Sequence, residues 1–186
     1  MKIGIIRTGK VEQFLVERIR ENLQDSFDKA DFAVLDGELQ VPRAAFDRKR
    51  RQYRSDLVLD AVESVALGNK AFSRVLGVVD FDLFAAPLNF VFGQARYVGK
   101  AALISMFRLR QEFYGRKEDV ELLVERGTKE AVHELGHTFG LEHCVNPFCV
   151  MYFSNSIFDT DRKQSLFCSK CQTRLWTSIN SLGEEL

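Results

Sequence analysis

All three histidines and all four cysteines of this 186-residue chain fall between residues 133 and 171. Side chains that share a metal must come within a few ångströms of one another, whatever else the chain does. This cluster therefore constrains the fold more than any other feature. His133 and His137 are four residues apart, so on a helix they stack on one face. Glu134 is rotated by about 100° from His133; it cannot share the same ligand position but can reach a water held there. Gly140 can adopt a positive φ and turn the chain sharply, which would bring His143 back toward the other two. Three histidines leave one tetrahedral position open, the arrangement of a catalytic zinc rather than a closed structural one. His133, His137 and His143 are thus the candidate ligands and Glu134 the candidate general base. The competing reading makes them surface histidines near a helix C-terminus, where the dipole favours them. The confinement of every histidine to eleven residues argues against it.

Cys144, Cys149, Cys168 and Cys171 follow C-x4-C, an eighteen-residue gap and C-x2-C. This is the spacing of a four-thiolate structural zinc site. Such a metal would anchor both ends of the irregular stretch between the two pairs. A redox pair at Cys168 and Cys171, or buried thiols without a ligand, are the alternatives. A redox pair would leave Cys144 and Cys149 unexplained.

With 46% hydrophobic and 28% charged residues the chain reads as a soluble globular domain. Its 26 basic residues balance 26 acidic ones, so it lacks the global field of most nucleic-acid binders. The basic run 48–51 (RKRR) is expected to be a solvated helix start. The opening apolar run, residues 3–6, is too short for a signal peptide, and no stretch reaches the roughly 18 apolar residues of a membrane span. A cytosolic location is expected, with no membrane or nucleic-acid partner.

Short apolar runs predict strands at 2–6 and 32–35, helical spacing predicts helices at 11–23 and 47–67, and the apolar segments that follow predict a central strand opening the 74–84 segment and two further strands over 89–99 and 100–109. The order βαβα followed by strands implies a mixed sheet with at least one antiparallel strand. A long helix is expected over 117–140, with a bend or break at Gly127 and Thr128. Residues 143–167 show no period. A closing helix at 169–182 would turn Leu175, Trp176, Ile179 and Leu182 inward.

HELGHTFGLEHC, as HExxHxxGxxH, resembles the metzincin metallopeptidases. They carry a methionine in a tight turn beneath the metal, and Met151 is the residue here that matches it. Together with the cysteines, HELGHTFGLEHCVNPFCVM followed by FCSKC resembles the archaemetzincins, or archaelysins. RRQYRSDLVL at 50–59, the 80–95 segment and FSNS at 153–156 fit them as well, whereas residues 1–45 match only in their βαβ pattern. The resemblance implies an α+β (mixed α/β) metzincin-like single domain. Residues 1–140 would form an upper part with a mixed twisted sheet, two long helices and the active-site helix. Residues 141–186 would form a small lower part ending in a C-terminal helix. It also implies two Zn²⁺ per chain, one catalytic on His133, His137 and His143 and one structural on Cys144, Cys149, Cys168 and Cys171.

The expected activity is hydrolysis of a peptide or protein substrate by a monomer. Tyr152 is the nearest candidate in sequence for a transition-state donor, against its reading as a packed aromatic. Substrate would lie along an exposed sheet edge in the 89–98 region. A zinc-stabilised interaction protein with a metzincin shell and little turnover uses the same ligands and is the alternative. A nucleic-acid module built on the cysteines fits less well, because it leaves the histidine motif unexplained.

Overall fold

Alternate residues of the central strands belong to two different apolar clusters, which is how a sheet buried on both faces is built. In the computed structural model, which describes residues 1–183, the strands are β1 (Lys2–Arg7), β2 (Asp31–Val34), β5 (Arg74–Val79), β7 (Gly93–Ala95) and β8 (Ala101–Ser105). Their order is β2-β1-β5-β8-β7. All neighbours run parallel except β7, which pairs antiparallel with β8 and forms one edge. Leu76, Val78, Ala102 and Ile104 face one cluster with helices α1 (Gln13–Leu23) and α3 (Val120–Thr138). Val75, Val79, Ala101 and Leu103 face the other with α2 (Ser55–Gly68). The result is three layers with a mixed sheet in the middle, as the βαβα order implies.

The second helix starts later than its charge pattern suggests. Residues 48–51 are a turn between two short strands, β3 (Phe46–Asp47) and β4 (Gln52–Arg54), in a second sheet completed by β6 (Leu83–Phe84). The reason is local. The Asp47 carboxylate accepts the backbone N–H groups of Lys49 and Arg50 at 2.9 and 3.0 Å, and Arg51 takes a φ of 56°. Aspartate offers the backbone this alternative to a helix. The long helix α3 starts at Val120, because the Asp119 side chain caps it by accepting Leu122 N–H at 3.0 Å. It runs unbroken through Gly127 and Thr128. Gly127 is there to let α1 approach: a Cβ would lie 2.9 Å from Ile19 Cδ1 and 3.0 Å from Met106 Cε.

The 143–167 stretch is not wholly irregular. It contains α4 (Ile157–Arg162), opened by a capping box in which Ser156 and Asp159 satisfy each other's backbone. A six-residue helix spans less than two turns and shows no period. The final helix α5 (Ser169–Gly183) buries Leu175 and half-buries Ile179, but Trp176 stays 43% exposed. The side chain of Leu182 lies outside the described residues.

Candidate active site

α3 is the most deeply buried helix, and it carries His133, Glu134 and His137 on its last turns. It ends in a Schellman turn. Gly140, with φ 82°, donates its N–H to His137 O at 3.0 Å, and Leu141 N–H reaches Gly136 O at 3.2 Å. The chain then reverses, and the His143 ring stacks 5.3 Å from that of His133 and packs against Phe153 at 4.9 Å. The three imidazoles converge as expected, each with a ring nitrogen within 4.8 Å of the others.

Backbone carbonyls set the tautomers. His133 Nδ1–H donates to Val150 O at 2.8 Å, and His137 Nδ1–H donates to Leu141 O at 2.7 Å. A carbonyl only accepts, so both Nε2 atoms are left with free lone pairs. They face each other at 3.1 Å. Zinc–nitrogen bonds of about 2.0–2.1 Å in a tetrahedron place ligand nitrogens about 3.3 Å apart, so the pair fits that metal. Burial holds His133 well below the usual imidazole range, with Lys163 adding to the effect, and brings His137 down to about 4. His143 is lowered too, again first by burial. All three are thus neutral near pH 7, the form that ligates a metal.

Glu134 lies beside the ligand pair, under the edge strand. A Cβ on Gly93 would stand 2.6 Å from Glu134 Cγ, so only glycine lets β7 come this close. Burial pushes the Glu134 carboxyl well above the usual carboxylate range; Glu130, one turn earlier, adds to this and Lys163 opposes it. The cleft here has a volume of about 220 Å³ and is lined by residues 88–93, Glu130, His133, Glu134 and residues 153–155. Tyr152 is half-buried and is not among these lining residues.

Met151 is fully buried beneath the helix, its Sδ 2.6 Å from where a Gly136 Cβ would be. The same turn supplies Val150 O to His133, and Met151 O accepts Cys144 N–H at 2.8 Å.

The four cysteines also come together, all unpaired, with their sulfurs within 4.8 Å of one another. Cys144 Sγ and Cys168 Sγ are 3.8 Å apart. A tetrahedron of zinc–sulfur bonds of about 2.3 Å has edges of about 3.8 Å. Burial opposes ionisation of Cys168, yet the Cys171 N–H and the neighbouring thiols bring it down to about 7. Cys149 and Cys171 are raised, first by burial.

Residues 2–177 match Peptidase family M54. The chain belongs to this family. It is 43% identical over 176 residues to a Pyrococcus furiosus protein named archaemetzincin, covering 93% of this chain and 91% of that one. The crystal structure of an archaemetzincin from Methanopyrus kandleri aligns with a TM-score of 0.83 at 36% identity, over 97% of this chain and 96% of that one. A zinc-dependent peptidase from Methanocorpusculum labreanum aligns with a TM-score of 0.85 at 30% identity, covering 93% and 99%. The archaemetzincin resemblance read from residues 50–171 therefore extends over nearly the whole chain.

Three residues of this M54 site escape a motif search. Lys163 is fully buried, with its ammonium 3.0 Å from Glu130 Oε1 but without an aligned hydrogen bond. Thr160 O–H donates to the same carboxylate oxygen at 2.9 Å. Glu130 sits one turn before Glu134 and could have been suspected from that spacing; Lys163 and Thr160 lie in the segment that shows no period.

Proposed function

We propose that Glu134 is the general base and acid of peptide-bond hydrolysis, with His133, His137 and His143 holding a catalytic zinc and the four cysteines a second, structural one. The chain is a zinc metallopeptidase of family M54, and a peptidase acts on a peptide or protein substrate. The observation that carries the reading is the pair of free Nε2 atoms 3.1 Å apart beside a buried carboxylate on an open cleft. When bound, zinc supplies a Lewis acid that activates water and polarises the scissile carbonyl. Glu134 takes the proton of the attacking water and later delivers it to the leaving amine. β7 is an open antiparallel edge over the site, and an extended peptide would pair with it by strand addition. In this reading the chain is one peptidase domain, with residues 1–140 above the cleft and the remainder below it.

Glu134→Ala is expected to lower peptide hydrolysis by about 10²–10⁴-fold while both metals stay bound, as read by mass spectrometry of a peptide library and by metal analysis. Hydrolysis at the parent rate removes Glu134 from this role. His133→Ala should retain about one zinc per chain; retention of none means that the cysteines hold no metal by themselves.

A further inference from the structure

Val98 lies in the β7–β8 connection with a φ of 53° and is 70% exposed. A β-branched residue in the left-handed region is strained, and such strain persists only where the surroundings impose it. What imposes it here is the end of α3. Val98 N–H donates to His137 O at 3.2 Å, and its Cγ2 lies 3.3 Å from where a Gly140 Cβ would stand. The neighbouring Tyr97 hydroxyl donates to Gly140 O at 2.9 Å.

A second group reaches the same turn from the middle of the sheet. Arg74 of β5 is buried, and its Nε and Nη2 donate to Thr138 Oγ1 at 2.9 Å and Thr138 O at 3.2 Å. Its guanidinium lies 3.7 Å over the Phe139 ring. No carboxylate pairs with it among the described residues; the negative end of the α3 dipole is its counter-charge. Burial brings it down to about 10, so it remains a cation near neutral pH.

The carbonyls of His137, Thr138 and Gly140 are therefore all gripped from β5 and the β7–β8 connection, just where the chain leaves the helix. His133 and His137 are placed by the helix itself. His143 is exposed, six residues beyond His137, and its position depends on the direction in which the Gly140 turn sends the chain.

We propose that Arg74, Tyr97 and the strained Val98 turn are positioning residues for the third histidine. They lock the Gly140 turn to the sheet, so that His143 meets the His133–His137 pair and the ligand set is formed before the metal arrives. The inference rests on the three-histidine zinc site proposed above.

The test is metal affinity. The histidine site is measured by chelator competition, and the cysteine site is followed separately by the thiolate charge-transfer bands of the cobalt(II)-substituted protein. Tyr97→Phe removes one hydrogen bond from an exposed side chain and should fold normally. It is expected to weaken metal at the histidine site about three- to tenfold, with the cysteine site unchanged. Arg74→Lys keeps the charge but loses the two-pronged grip on Thr138, and is expected to weaken the histidine site at least as much. Unchanged histidine-site affinity in Tyr97→Phe overturns the proposal, and so does an equal loss at both sites, which would mean general loosening. A parent protein that binds only the cysteine-site metal overturns the underlying ligand assignment as well, and that is read before any variant is made.

Discussion

Before Gly140 the chain is held together by apolar packing; after it, much less so. β5 and β8 are buried along their whole length, and α1, α2 and α3 cover both faces of the sheet. Beyond Gly140, Leu141, Val150, Met151, Ile157, Phe167 and Leu175 are buried, but Val145, Phe148, Phe158, Leu166 and Trp176 stay exposed. Segment 142–148 has almost no buried side chain. Yet that poorly packed region supplies His143, the cysteines and the carbonyl that orients His133. A region with too little apolar burial to offset its own ordering must draw stability elsewhere. Here the four sulfurs and the buried Lys163 are the available sources.

Removing metal should break the comparison open most widely. A structural zinc on thiolates contributes an apparent ~10–16 kcal/mol to folding of the part it binds. Chelation is expected to strip amide protection from the segment between Cys144 and Cys168, while β1, β5 and β8 keep theirs in hydrogen exchange. Equal loss in both regions would make the molecule one cooperative unit. Next in size is Lys163→Met. Lys163 comes from the sparsely packed region after Gly140 and Glu130 from the apolar one, so the substitution leaves a buried carboxylate without its cation. We expect a loss of about 3–5 kcal/mol in denaturant unfolding. A loss below about 1 kcal/mol would put the pair in the class of exposed ion pairs.

Acid sharpens the comparison at the seam. His137 is depressed to about 4 from 6.5 in the folded metal-free chain, chiefly by burial. The unfolded chain therefore takes up this proton first. Stability is complete above about pH 6.5 and falls as pH drops toward 4, by on the order of a few kcal/mol. His133, shifted in the same direction, adds to the effect. Thermal unfolding of the metal-free protein between pH 7 and 4 checks this, and a flat profile would contradict neutral buried histidines. The smallest effect is expected at Asp119→Ala, which removes the cap of α3 on the apolar side. It should lower stability by about 1 kcal/mol and leave both metals bound, as read by thermal midpoint and metal content.

The divide also separates what was readable in the residues from what was not. Where burial is continuous, unbroken apolar runs and the 3.6 period are visible, and β1, α1, β5 and α3 follow from them. Where local side chains compete with the backbone, periodicity misleads: the Asp47 turn displaced a helix start, and α4 was too short to show one. Its Ser156-x-x-Asp159 box was the usable signal. Trp176 shows the limit of one-face patterns, since it lies beside an inward position yet faces water.

The spacing of histidines, glycine and cysteines determined by itself which seven side chains could share metals, because helix pitch and turn geometry are local. Tertiary structure alone decided the rest. It made β7 the open edge above Glu134 and put Lys163 against Glu130. It brought Arg74 and Tyr97 onto the turn before His143. These contacts join residues tens of positions apart, and only the packing of the whole chain sets them.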